Sequence, residues 1–290
     1  MQAIDIALPS QELIGANLWL SERPQGVVLL HPATAVKQTF YRDFASWLHG
    51  EGFHVLTYDY RGTGASLRGL LRNCTVSMAD WMEHDVAAVT HWALERFPEL
   101  PVVAVGHSVG GHAIVLGAGA TELCGAVLIA SHAGVTRTIR GALERLRVAL
   151  VMRVLAPLLC RLSGYMPGSR LGLGEDLPRN VMMQWSRWTR LPRYFYDDPA
   201  MRAAQRAGTV ALPLLVLGFS DDPWANRHAM DLLLQPLANA DIERHEIVPQ
   251  EAQAKSIGHM GFFRRRQGAA LWPQVRDWLG AHCAAHQELL

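Results

Sequence analysis

The chain has 290 residues, half of them hydrophobic, and 27 basic residues stand against 26 acidic ones for a net charge of +1. That length and composition can bury a large core as one domain or a domain with an insertion, and they exclude extensive disorder; the balanced charge excludes a molecule-wide field that would recruit nucleic acid or an acidic membrane. Cys74, Cys124, Cys160 and Cys283 lack the paired spacing of a metal or redox unit, the N-terminus carries no basic leader, and no apolar run reaches roughly 18 residues. A soluble, cytoplasmic protein with no membrane span is therefore expected.

Taken in order, "AIDIAL" and "IGANLWL" are predicted to open the chain as a hairpin. Further strands are expected at 26–31, 54–60, 101–107, 125–131, 212–218 and 242–248. Helical spacing covers 40–50, 78–97, 109–119, 226–237 and 268–286. This alternation predicts a mainly parallel sheet with helices on both faces.

One interval breaks the rhythm. Residues 133–211 separate two predicted strands by far more chain than a crossover needs, so they form an inserted substructure with helices of its own. The expected division is a core of 1–132 and 212–290 with a helical cap insertion at 133–211. From Arg137 to Arg193 the insert carries 11 arginines and 3 acids. An anionic substrate or acidic partner would use that charge; arginines lying along apolar surface and pairing locally would also account for it.

The chemistry centres on "VAVGHSVGGHA", where Gly106, Ser108 and Gly110 satisfy G-x-S-x-G between a predicted strand and a predicted helix. A serine at such a turn is exposed as a nucleophile, but it needs a base to take its proton and a third group to orient that base. His259, in the glycine-flanked loop "SIGHMGFF" after the last strand, is the candidate base. His282 and His286 have helical ligand spacing but no third partner, so no metal is expected.

The orienting acid belongs in "GFSDDPWAN". Counting from Gly218 points to Asp221. Counting back from the next helix, through Pro223 and Trp224, points to Asp222, which we take as the acid; Asp221 is then a turn residue. For the developing oxyanion, the Val109 amide is one expected donor and that of Ala33 the other, with Thr34 as alternative.

Together these residues resemble an α/β-hydrolase, and "FYRDFASWLHGEGFHVLTYDYRGTGAS" resembles the helix, strand and turn that follow the oxyanion loop there. More narrowly, "GHSVGG", "GEDLP", "QWSRW", "FSDDPWA" and "IGHMGFFR" resemble a bacterial group of serine hydrolases related to the serine aminopeptidase and lysophospholipase-like branch. The resemblance covers nearly the whole chain and implies Ser108, His259 and Asp222 as a catalytic triad with no cofactor. One departure is Pro32, which follows His31 where many relatives have glycine and which has no N–H to donate. Asp59 and Arg61 of the D-x-R-G element are expected to order a turn. Trp185, Trp188, Tyr194, Phe195 and Met182 are expected to roof an apolar pocket, which favours a small-molecule substrate with a medium or long acyl group.

Overall fold

The computed structural model describes residues 1–288. Eight strands form one sheet: β1 (Gln2–Ala7), β2 (Leu13–Trp19), β3 (Val27–His31), β4 (His54–Tyr58), β5 (Val102–His107), β6 (Gly125–Ile129), β7 (Leu214–Phe219) and β8 (Ile242–Ile247). Their spatial order is β1-β2-β4-β3-β5-β6-β7-β8. β1 and β2 form the predicted antiparallel hairpin, and every pair from β4 to β8 is parallel. β3 to β7 are buried along their whole length, as strands covered on both faces must be, which is why they read as unbroken apolar runs.

Helices α1 (Arg42–Gly50), α2 (Val86–Arg96), α3 (Val109–Val115), α7 (Arg227–Leu234) and α8 (Trp272–Gln287) connect or flank these strands. α3 is shorter than the predicted 109–119, because Gly117 and Gly119 take left-handed conformations that end it. At the start of α7, the Asn226 side chain accepts from Ala229 N at 3.2 Å, so the capping residue is the last of the "DDPWAN" stretch.

Between β6 and β7 the chain leaves the sheet. It forms α4 (Ala142–Leu150), a wider π turn over Val151–Leu155, α5 (Ala156–Ser163), a small hairpin pairing Tyr165–Met166 with Leu177–Pro178, and α6 (Arg179–Trp188). The π turn immediately precedes Pro157. A proline lacks the N–H and crowds the carbonyl four residues back, and a local widening relieves that clash without breaking the helix.

Three arginines of the second half of this insert are held in ion pairs. Arg187 pairs with Asp198, which also accepts from Trp188 Nε1 at 2.7 Å; Arg193 meets Asp197 at 2.8 Å and Arg206 meets Glu83 at 2.5 Å. Elsewhere, Asp59 accepts from Gln38 N, Gln38 Nε2 and Ala65 N, and Arg61 binds Asp85 at 2.6 Å, so the D-x-R-G turn is held internally. All four cysteines are free, and burial pushes the Cys160 and Cys283 thiols up to about 11 and about 12, which keeps them unreactive.

Candidate active site

Parallel strands end level with one another, and the register sets which ends meet. His31 pairs with Gly106 and His107 with Ile129, so the loops after β3, β5 and β6 leave the sheet side by side. The loops after β7 and β8 bring Asp222 and His259 to the same edge, the carboxyl end where open α/β sheets bind ligands.

Ser108 sits between β5 and α3 with φ 53° and ψ −112°, a conformation an L-residue adopts only when its surroundings impose it. Two glycines make the turn possible. A Cβ on Gly106 would lie 2.6 Å from Gly111 N, and one on Gly110 would lie 2.2 Å from the His31 carbonyl oxygen. The second close approach draws the loop after β3 against the start of α3. The Val109 N–H, first in that helix, has no intrahelical acceptor.

Asp222 is fully buried, and its Oδ2 lies 2.7 Å from His259 Nδ1. Its Oδ1 accepts from Trp224 N at 2.8 Å and Ala225 N at 3.1 Å. Burial alone would raise this carboxyl, but the His259 ring, His132 and the Trp224 amide outweigh it and hold the group down at about 2. Asp221 faces the other way and does something different, because its two oxygens accept from Ile257 N (2.9 Å) and Gly258 N (3.0 Å). One aspartate thus touches the His259 ring while its neighbour ties down the loop that carries it.

His107 and His132 stand against the His259 ring, and His112 and His31 lie further out. His107 Nε2 lies 2.9 Å from the His259 carbonyl oxygen and therefore bears the proton; Nδ1 then accepts from Tyr41 Oη at 2.8 Å. Tyr41 Oη in turn accepts from Ala33 N at 2.8 Å. Burial drives His107 down to about 3, so it stays neutral and this relay keeps one direction. The His132 ring stands edge-on to His259 at 5.3 Å between centroids, its Nδ1 donating to the Ala130 carbonyl. His112 Nε2 donates to the His132 carbonyl, and His31 Nδ1 meets Tyr58 Oη. Only the adjacency of His107 to Ser108 hinted at its involvement, and nothing in the sequence marked Tyr41.

The relay also changes the expectation for Ala33. Its N–H, expected to be the second oxyanion donor, is spent on Tyr41, whereas the Thr34 N–H on the same loop has no acceptor among the described residues. Replacing Tyr41 by phenylalanine would leave both the Ala33 N–H and His107 Nδ1 unpaired in the core. A loss of about 1–3 kcal/mol of unfolding free energy is expected in urea titration.

Ser108, Val109, Thr34, His132, Trp224 and His259 line one cavity of about 300 Å³. The insert supplies Val148, Val151, Met152, Met182, Trp185 and Tyr194 to its walls, while Trp188 and Phe195 do not line it: they pack on each other, and Phe195 packs on His112 of α3. Trp224 also donates its Nε1 to Glu144 on α4 at 2.9 Å, which fastens the insert to the loop bearing Asp222.

A strand order of this kind, with a strained serine after β5 and a histidine after β8, defines an α/β-hydrolase. The hydrolase family described as serine aminopeptidase, S33, matches residues 22–248, and the chain belongs to that family; it is a serine hydrolase. No curated protein matches it. Among solved structures, a soluble variant of monoglyceride lipase from Saccharomyces cerevisiae in complex with a substrate analogue is similar at 16% identity, with a TM-score of 0.70, covering 97% of this chain and 94% of that one. The monoacylglycerol lipase of Paleococcus ferrophilus is similar at 17% identity and a TM-score of 0.60, covering 93% and 99%. An esterase from Exiguobacterium antarcticum is similar at 14% identity and a TM-score of 0.57, covering 96% and 99%. At these identities the likeness is one of fold. Among the described residues, no helix is long and apolar enough to cross a membrane.

Proposed function

We propose that the protein hydrolyses carboxylic esters of apolar acyl groups through a Ser108-His259-Asp222 triad, with residues 133–211 acting as a cap over the site. The observation that carries this reading is the shared cavity: Ser108 in its strained turn and His259, paired to buried Asp222, open onto the same apolar chamber. Ser108 attacks the carbonyl carbon as His259 takes the hydroxyl proton. Asp222 stabilises the resulting imidazolium, and the amides of Val109 and Thr34 receive the oxyanion. His259 then passes the proton to the departing alcohol, and water repeats the sequence on the acyl-enzyme.

The lining argues for an ester in preference to a peptide with a free amino terminus. An ammonium group needs an acidic partner, and Glu175, the one acidic residue on the cavity wall among the described residues, already pairs with Lys37 at 3.1 Å. A fluorophosphonate probe is expected to label the wild-type protein and to leave Ser108→Ala unlabelled. A panel of p-nitrophenyl esters is expected to give kcat/KM that rises with acyl length until the cavity is filled. Folded protein that takes no label, or that prefers aminoacyl amides, would overturn the assignment.

A further inference from the structure

Half of the large apolar side chains exposed among the described residues lie on one helix of the insert: Leu143, Leu146, Leu150, Val154, Leu158 and Leu162, which are 51% to 82% exposed. They share one face. Their spacing, three residues and then four at each step, makes each a neighbour of the next on the helix surface, and the row runs over about 30 Å of helix. The opposite side of the same helix, with Val148, Val151 and Met152, walls the cavity. A helix apolar on both sides is not at rest against water.

Charge selects what covers the outer face. Arg145, Arg153 and Arg161 flank the row, exposed and in no ion pair among the described residues, and the only acid of the helix, Glu144, is engaged by Arg147 at 2.7 Å and by Trp224. Two copies of the chain meeting on this face would set the three unpaired arginines of each against those of the other within the Debye length of about 8 Å. An anionic lipid surface would instead take the leucines into its acyl layer and the guanidinium groups among its headgroups. We propose that the α4–α5 face docks the protein on an anionic lipid surface, with the wall of the acyl cavity turned toward the layer that holds acyl chains. On this reading three of the 11 arginines from Arg137 to Arg193, namely Arg145, Arg153 and Arg161, face lipid, while Arg147, Arg187 and Arg193 are held in ion pairs.

This docking goes beyond the ester reading and is tested without turnover. Full-length protein is sedimented with phosphatidylcholine vesicles that contain or lack phosphatidylglycerol. Binding to the anionic vesicles is expected to exceed binding to the neutral ones by roughly 100-fold at low salt, about the effect of three arginines near a charged surface. Leu146→Glu with Leu158→Glu is expected to weaken it at least about tenfold. Arg145→Gln, Arg153→Gln and Arg161→Gln together are expected to remove the preference for phosphatidylglycerol. None of these side chains lines the cavity, so hydrolysis of a short soluble ester is expected to stay within about twofold of wild type in both sets. Equal binding to both vesicle types, no binding to either, or a wild-type dimer in sedimentation equilibrium that the leucine variants dissociate would overturn the proposal. Protein that binds vesicles but hydrolyses no ester would refute the function proposed above and leave this inference standing.

Discussion

Asp222→Asn is expected to lower kcat on a short ester by about four orders of magnitude with little change in KM. The reason is the tautomer. An asparagine amide can present its N–H₂ to His259 Nδ1, which places the ring proton on Nε2 and removes the lone pair that must receive the Ser108 proton. Asp221→Asn acts differently, because Asp221 accepts two backbone N–H groups and asparagine has one carbonyl oxygen to offer. Losing one bond that braces the His259 loop corresponds to about 1 kcal/mol, or less than about tenfold in kcat/KM with a comparable loss of stability. Steady-state kinetics and urea titration of the two variants separate the two roles, and the opposite ranking would refute the assignment of the acid.

The second large effect is on stability in mild acid. His31, His107 and His112 are 1%, 0% and 3% exposed, and burial lowers each to about 3, whereas an unfolded histidine titrates near 6.5. Between those values the unfolded chain binds protons that the folded chain refuses, so stability falls as the pH falls. Each group contributes at most about 1.4 kcal/mol per pH unit and the three together about 4; buried Asp85, raised to about 7, takes up its proton first in the folded chain and offsets about one of the three, leaving a net loss of about 3 per unit. Against a typical total of about 5–15 kcal/mol, the fold should be exhausted between about pH 5 and pH 3. Asp222 adds nothing in the upper part of that window, because its carboxyl stays ionised until the pH approaches about 2. Urea titrations at pH 7.5, about 6 and about 5 are expected to show a steep loss; an unfolding free energy that is flat across them would contradict the neutral, buried state of these rings.

Ser108 and Asp222 were legible as candidates because each follows a strand whose apolar run is easy to see, and His259 because glycines flank it in the loop before the last helix. The pair "DD" was legible only as a choice. Two rulers disagreed over it, and the geometry accommodates both: Gly218 sits three residues before the aspartate that braces the loop, and Pro223 directly follows the one that meets His259. Ala33 shows where such reading stops. Its place on the loop after β3 was visible, but the partner of its amide is a tyrosine eight residues away whose hydroxyl reaches back from the start of α1.

By itself the sequence determined the order of strands and helices and the long interval between the sixth and seventh strands, and it put forward the candidates for nucleophile, base and acid. These follow from local causes: periodicity, glycine freedom and proline's missing N–H act within a few residues. Only the tertiary structure decided which aspartate touches His259, which amide on the β3 loop is free, that Tyr41 and His107 join the two loops, and that a row of leucines on the insert is left facing outward. Each of those depends on side chains from distant elements competing for the same few donors, acceptors and buried surfaces, and such competition is settled by packing in three dimensions.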